Sequence, residues 1–302
     1  MRNVCCIAAI TLAVSPTFAK PAVNEYRGVC EASAGSYIDS DHFLVASDET
    51  NVLRLYKRGS SVPVRTVDLQ GFTGFDKSDL EGAAKIGDRV YWISSHSLTR
   101  TGKDQHKRRV FFATKTALVD GTFRTEGVGK PIANLRDGLA SAAQVAPQDL
   151  NVEGLAATPD GGLLIGLRGP LRGGNAIVIP MKNPAEVIEG GPPVWGPALE
   201  VDLGGRGIRS MEILPGSNES YLILAGPLKD SDEEFKVYKW SASKKKADPF
   251  DHIDLKGMKP EGLMQIPGTE KWHLLSDDDD VCSDEKDPKS ARRFRSIELD
   301  VD

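Results

Sequence analysis

Residues 151–170 read NVEGLAATPDGGLLIGLRGP, and this stretch contains the unit from which the fold can be predicted. A Glu is followed by small and apolar residues, then by the turn PDGG at 159–162, then by the apolar run LLIGL. Pro, Asp and Gly between two apolar runs are typical of a β-hairpin turn. The segment therefore predicts two antiparallel strands, with a Glu at the start of the first.

The same unit recurs along the chain. Its Glu residues lie roughly 50 to 70 residues apart, near the blade periods of β-propellers; they are Glu31, Glu81, Glu153, Glu212 and Glu261. The second strands read FLVAS, VYWIS, LLIGL, YLILA and WHLLS, and the third strands read NVLRLYK, RRVFFATK, NAIVIPM, FKVYKWS and RFRSIELD. Fourth strands follow as VRTVDL, PIANL, ALEVDL and FDHIDL. Four such strands make one blade, so residues 20–302 are predicted to form an all-β, five-bladed propeller of antiparallel strands.

The fifth unit ends after its third strand, so closing the ring needs a strand from elsewhere. Residues 23–27 offer one, which would place both ends of the chain in the same blade and leave no bare edge. Six blades are the alternative if residues 116–150 contain a degenerate unit, although GLASAAQVA at 138–146 favours a short helix on a loop. A sandwich or barrel of short strands is a further alternative.

Composition limits the possible partners. The chain has 302 residues with 38 Lys+Arg and 43 Asp+Glu, a net charge of -5, so it offers no basic face for nucleic acid or an anionic membrane surface. Residues 1–19 are predicted to be a signal peptide: Arg2 precedes the apolar run VCCIAAITLAV, and TFA at 17–19 suits cleavage. That run is too short for a membrane span of about 20 residues. We therefore expect a periplasmic or secreted protein.

Two cysteines, Cys30 and Cys282, remain after cleavage of this signal. In an exported chain an even pair of thiols predicts a disulfide, and closing the ring through residues 23–27 would bring the two thiols toward each other. Two buried free thiols are the alternative.

The propeller prediction places acidic side chains together. The first strand of a blade lies innermost, so the five repeated Glu residues are expected around one mouth of the central channel. The ends of the second strands return to the same face and add Asp48, His96, Arg168 and Asp277. Crowded carboxylates need protons or cations. Because the ligands are oxygens, Ca²⁺ or Mg²⁺ suits them better than Zn²⁺. The predicted ligands are Glu31, Asp48, Glu81, Glu153, Glu212, Glu261 and Asp277.

Basic residues of the same loops could instead neutralise the carboxylates, and Glu residues held by Arg168 and Arg209 would then lock neighbouring blades together. A mouth with both charges could also hold a small anionic substrate through Arg168, Arg209 and Lys259. The first hypothesis is a metal-dependent phosphoester or ester hydrolase with Glu153, His96 and Arg168 as catalytic residues. The alternative is a non-catalytic propeller that binds a ligand or a protein and has a structural Glu ring.

Three groups of residues, LEGAA…WISSHS, NVEGLAATPDGGLLIGLRGP and KPEGLMQIPG…LLSDDD, resemble an uncharacterised family of secreted bacterial proteins, a domain of unknown function. More distantly, the repeated EG strands resemble the propellers of esterase-like phytases and calcium-dependent lactonases. That resemblance implies Ca²⁺ at the channel mouth and hydrolysis of an ester. The first and fourth units, CEASAG and SMEILPG, depart from the EG pattern.

Overall fold

The computed structural model describes residues 22–229, 234–278 and 292–301. Within these residues, strands form five four-stranded antiparallel sheets. The first strand of each sheet contacts the first strands of the two neighbouring sheets in cyclic order, so the sheets are the blades of a closed ring. The five-bladed propeller prediction is confirmed, and the six-bladed, sandwich and barrel alternatives are wrong.

Each blade runs from its innermost strand outward. Blade 1 contains β2 (Ala32–Tyr37), β3 (His42–Ser47), β4 (Thr50–Lys57) and β5 (Pro63–Asp68), and blade 2 contains β6 (Leu80–Ile86), β7 (Arg89–Ser94), β8 (Phe111–Val119) and β9 (Thr122–Ile132). Blade 3 contains β10 (Asn151–Ala157), β11 (Leu163–Gly169), β12 (Ala176–Met181) and β13 (Leu199–Val201). Blade 4 contains β14 (Gly207–Ile213), β15 (Ser220–Gly226), β16 (Lys236–Ser241) and β17 (Asp248–Pro249). Blade 5 contains β18 (Pro260–Gln265), β19 (Lys271–Ser276), β20 (Arg293–Asp300) and β1 (Val23–Arg27).

The outer strand of blade 5 comes from the beginning of the described chain. β1 pairs antiparallel with β20, and Tyr26 lies opposite Phe294. Both rings are buried, and they stack on each other with their centroids 5.4 Å apart. The Tyr26 ring also meets the ring of Phe43 edge to face, with a centroid distance of 5.2 Å. The predicted closure through residues 23–27 is confirmed, and aromatic burial stabilises it.

The hydrophobic core is divided among the blade interfaces. Buried clusters join blades 1 and 2, 2 and 3, 3 and 4, 4 and 5, and 5 and 1. Trp92, Trp240 and Trp272 are each at most 1% exposed in three of these clusters. Apolar residues on both faces of each blade therefore hold the ring together, which explains the continuous apolar runs of the second strands.

Two of the predicted fourth strands differ from the structure. FDHIDL at 250–255 is not a strand; β17 ends at Pro249, and the following residues form a loop to blade 5. Of PIANL at 131–135, only Pro131 and Ile132 belong to a strand; they end β9, which is longer than predicted and pairs with β8 from Phe111 to Val119, with a register shift between Phe111 and Ala113. Alternating sequence favours a strand locally, but the strand also needs a neighbour with which it pairs.

Short helices lie in the connections between strands: α1 (Gln70–Thr73), α2 (Arg136–Ala143), α3 (Pro184–Ile188) and the 3-10 helices His106–Arg109 and Pro147–Asp149. The short helix predicted near 138–146 is α2. In the part of the chain that the structure describes, no helix has the length and apolar character needed to cross a bilayer. The predicted signal peptide lies outside the described residues.

Candidate functional site

The five innermost strands share one irregularity. Each contains a β-bulge close to its first residue, between positions 32 and 34, 80 and 82, 152 and 154, 208 and 210, and 260 and 262. A bulge leaves one residue outside the regular ladder, and here it falls at the same level of every blade. The bulged residues therefore meet at one mouth of the channel. They are Ser33, Glu81, Glu153, Arg209 and Glu261, which we call the bulge ring.

The bulge ring differs from the predicted ring of five Glu residues. Glu212 lies opposite Leu222, three residues beyond Arg209 and thus about 10 Å further along the strand. Burial raises the pKa of Glu212 to about 7, and the nearby charge is Lys85, which lies near the other end of β6. The expectation that Glu212 lies at the mouth is wrong because it matched residue type and ignored the register.

A count from the hairpin turn would have found the correct register. The first turn residue follows the bulge by six positions in every unit: Asp39 follows Ser33, Gly87 follows Glu81, Pro159 follows Glu153, Pro215 follows Arg209, and Pro267 follows Glu261. The two units that depart from the EG pattern are the two whose bulged residue is not Glu.

Arg209 neutralises two members of the bulge ring. Its Nη1 donates to Glu153 Oε2 at 3.0 Å and to Glu261 Oε1 at 2.7 Å, and the residue is only 4% exposed. Burial lowers the pKa of Arg209, but Glu153 and Glu261 outweigh this effect and raise it overall. One guanidinium thus joins blades 3, 4 and 5 at the channel mouth.

Arg168 completes the coordination of Glu153. Its Nη1 donates to Glu153 Oε1 at 3.1 Å, and its Nε donates to the carbonyl of Pro227 at 3.1 Å. Both oxygens of Glu153 are therefore bound to arginine. At Glu153 and Glu261, arginine side chains neutralise the carboxylates and connect neighbouring blades, which is the structural role that the sequence offers as an alternative. Glu153 is held as an ion-pair partner of Arg168 and Arg209.

Glu81 has a different environment. Within the described residues, no hydrogen bond or ion pair engages its carboxyl group. Burial raises the pKa of Glu81 well above its ordinary value, and the negative charges of Asp79, Glu153 and Glu261 raise it further. Among the described residues, Glu81 thus forms no ion pair, although its charge contributes to raising the pKa of Arg209.

Asp79, which is not among the predicted site residues, lies two residues before Glu81. It is 3% exposed, has a φ of 55°, and forms an ion pair with Arg108 at 2.5 Å. A positive φ at a residue other than Gly is uncommon and often marks a functional or tightly constrained position. Asp79 and Arg108 come from different loops of blade 2, so no local pattern in the sequence indicates their contact.

A second group of carboxylates lies beside the ring on blade 1. Glu31, Asp48 and Glu49, which we call the rim cluster, offer one oxygen each, and these oxygens lie within 4.8 Å of one another. One oxygen of Glu31 and one of Asp48 are buried without a donor from another residue, and the two carboxyl groups lie close enough to share a hydrogen bond with each other. Burial raises the pKa of Asp48 to about 8, and the charge of Glu31 adds to this effect. Glu49 is ion-paired with Lys77.

Asp277 and Lys259 lie at the edge of the same face. Asp277 forms a β-bridge with Glu31, and its N–H donates to the carbonyl of Lys259 at 2.8 Å. Lys259 is exposed. The structure therefore places Asp277 next to the rim cluster, as predicted, and leaves the Lys259 side chain in contact with solvent.

His96 is fully buried. It is 0% exposed, and its Nδ1 donates to the carbonyl of Ser94 at 2.8 Å. Burial lowers the pKa of His96 to about 4. A buried neutral imidazole does not fit the predicted catalytic role at the mouth.

His96 should instead contribute to the pH dependence of stability. Because its pKa is lower in the folded chain than the unfolded value of about 6.5, its stabilising contribution is present above pH 6.5 and is lost as the pH falls, by about 1.4 kcal/mol per unit. We expect His96→Asn, which suits the φ of 55°, to flatten the decline between pH 6.5 and 5 by about 2 kcal/mol in urea unfolding. The exposed His252→Asn serves as control, and an unchanged slope in His96→Asn would contradict the assignment.

The predicted disulfide involves Cys30, which is buried at the start of blade 1, and Cys282, which lies outside the described residues. The bond therefore stays a prediction.

Comparison with known proteins supports the fold. Residues 144–271 match a family model described as "Protein of unknown function (DUF3616)", which confirms the resemblance to an uncharacterised family. No curated protein matches the chain significantly.

Solved structures with similar folds are remote in sequence. Glutaminyl cyclase from Myxococcus xanthus is 14% identical, with a TM-score of 0.50, over 92% of this chain and 96% of that chain. The Malassezia sympodialis allergen Mala s 1 is 12% identical, with a TM-score of 0.49, over 85% of this chain and 75% of that chain. At 14% identity, the likeness to the glutaminyl cyclase shows the fold alone.

Proposed function

We propose that the channel mouth binds a divalent cation, Ca²⁺ or Mg²⁺, through the rim cluster and that the protein is an exported, cation-dependent ester hydrolase. The observation that carries the cation site is the convergence of three carboxylate oxygens within 4.8 Å, two of the residues having a buried oxygen without a donor. Glu31, Asp48 and Glu49 supply hard oxygen ligands, which Ca²⁺ and Mg²⁺ prefer. Asp277 lies close enough to add negative charge.

This proposal revises the predicted ligand set. Glu153 and Glu261 are bound to Arg209, and Glu212 lies away from the mouth. A cation at the rim cluster therefore leaves the arginine pairs intact, whereas a cation at Glu153 would displace two guanidinium contacts.

The chemistry follows from the neighbouring side chains. A bound divalent cation would supply positive charge to an ester oxygen. Glu81, in the same mouth and without an ion pair among the described residues, is the base that accepts a proton from the attacking water. Arg168 and Arg209 hold Glu153 and Glu261 and fix the shape of the mouth. The catalytic base is thus Glu81 and not Glu153.

The cation site is tested by titrating Ca²⁺ and Mg²⁺ into the metal-free protein, with calorimetry and melting temperature as readouts. At a cation concentration 100 times the dissociation constant, we expect stabilisation by about 2.7 kcal/mol. Asp48→Asn should abolish both signals. Asp120→Asn, an identical change in an exposed turn of blade 2, should leave them unchanged. No response of the unaltered protein to either cation would refute the cation site.

The arginine contacts favour a second candidate, a non-catalytic binding propeller. Both oxygens of Glu153 are occupied, as expected for a structural role. This alternative predicts that the protein binds the cation and hydrolyses none of the carboxylic or phosphate esters tested. Hydrolysis that disappears in Glu81→Gln, with cation binding retained, would exclude it.

A further inference from the structure

A cavity of about 760 Å³ opens on the face that carries the channel mouth, over blades 4 and 5. Its walls come from the end of the loop before β16, the loop at 250–259, and the end of β19. Phe235 belongs to this wall and also lies under the guanidinium of Arg209, 5.4 Å from ring centroid to Cζ. The cavity is therefore next to the bulge ring, and its size is that of a site for a small organic molecule.

The loop at 250–259 supplies much of the apolar surface. This is the segment whose alternating sequence predicted a fourth strand; in the structure it is not a strand, although the Phe250 N–H donates to the carbonyl of Val237 in β16 at 2.9 Å. Its Phe250, Ile253 and Met258 are only half-buried and line the cavity together with Phe235. Apolar side chains that are partly exposed around a concave site provide a surface for an apolar ligand group.

The described residues that line the cavity carry no net positive charge. They include five carboxylates and four Lys or Arg side chains. Arg295 binds Asp278 through Nη2 at 2.7 Å, and Lys236 binds Asp251 at 3.2 Å, so each of these pairs neutralises one cation and one carboxylate. A phosphate group would therefore find no excess of cationic side chains among these residues to compensate its charge.

We infer that this cavity holds the apolar acyl or aryl part of a neutral carboxylic ester or lactone, whose ester group then lies at the channel mouth. The inference rests on the proposed function for its orientation toward the mouth and selects carboxylic esters over phosphate esters as the substrate class. The apolar wall binds the uncharged body, and the described lining residues offer no net positive charge to an anion.

Binding is tested apart from catalysis with two fluorescent dyes, the neutral N-phenyl-1-naphthylamine and the anionic 8-anilinonaphthalene-1-sulfonate. We expect one neutral molecule per chain, bound at least tenfold more tightly than the anion. Ile253→Asp and the milder Met258→Gln should each weaken neutral binding, by at least tenfold for Ile253→Asp. Leu118→Asp, which alters an apolar residue 62% exposed on blade 2, should leave it unchanged. Tighter binding of the anion, or equal affinities in all three variants, would overturn the inference.

Activity assays separate this inference from the proposed function. With 4-nitrophenyl butyrate and 4-nitrophenyl phosphate as substrates, the butyrate ester should be hydrolysed preferentially, and Met258→Gln should raise its KM while kcat and Ca²⁺ affinity stay near those of the unaltered protein. Dye binding at the cavity with no hydrolysis of either substrate would refute the hydrolase and retain the cavity. Butyrate hydrolysis with a KM insensitive to Ile253→Asp and Met258→Gln would refute the cavity and retain the hydrolase.

Discussion

Replacement of Arg209 by Met is expected to lower the free energy of unfolding at pH 7 by about 3–5 kcal/mol, because it leaves two carboxylates at the channel mouth without their shared cation. Arg209 is buried and contacts Glu153 and Glu261 from two neighbouring blades. Met keeps much of the apolar volume, so the change tests the charge and not the packing. Urea unfolding measures the effect.

The loss in free energy of unfolding caused by Arg209→Met should become smaller at acidic pH. Burial raises the pKa of Glu261 well above its ordinary value even with Arg209 present, and Arg209 opposes that shift. Without the guanidinium the folded pKa rises further, so the folded chain binds a proton more tightly than the unfolded chain does. Stability relative to the unaltered protein should therefore recover as the pH falls from 7 to 5.

Arg65→Met provides the matched control, because Arg65 is exposed on the outer strand of blade 1. It should change stability by less than about 0.5 kcal/mol at either pH. A loss below about 1 kcal/mol in Arg209→Met, or a deficit that grows in acid, would show that the guanidinium does not compensate buried carboxylates.

Hairpin turns and apolar runs in the sequence were sufficient to predict the blades, since both signals are local. The segment at 250–255 shows where local signals fail: its residues suit a strand, but β16 pairs with Asp248 and Pro249, and after the bond from the Phe250 N–H to the Val237 carbonyl the chain turns, with the Ile253 N–H bonded to the carbonyl of Phe250. Residue alternation describes one strand, whereas pairing also depends on the path that the chain takes beside its neighbour.

The sequence predicts that the inner strands bring charged side chains to the channel mouth, but it does not predict which residue of each strand lies there. The sequence correctly predicts Glu153 and Glu261 on the inner strands, but it predicts Arg209 in a loop, whereas Arg209 occupies the position equivalent to theirs. Matching by residue type alone favours Glu212, which lies three residues beyond Arg209. Asp79 and Lys77 could not be inferred, because their partners Arg108 and Glu49 belong to other loops.

The second large effect is expected at Gly207, the first residue of β14. A Cβ at this position would lie 2.1 Å from the carbonyl oxygen of Arg168, a backbone atom of the neighbouring blade that has no side-chain freedom to retreat. Gly207→Ala should therefore separate the two strands and lower stability by about 3 kcal/mol. Gly71→Ala, where the added atom meets nothing within 4 Å, should be neutral within about 0.5 kcal/mol.

The clash at Gly207 should also disturb the site, because the displaced residue is the one whose side chain holds Glu153. If moving the Arg168 backbone breaks the 3.1 Å contact with Glu153, then Arg168→Met costs less in the Gly207→Ala background than alone. A double-mutant cycle by urea unfolding measures this coupling, for which we expect at least about 1 kcal/mol. Additive losses would mean that the strand moves without Arg168 and that packing between blades 3 and 4 is independent of the arginine contacts at the mouth. Coupling of the expected sign would mean that the close approach of two backbones, possible only with Gly at 207, positions the guanidinium.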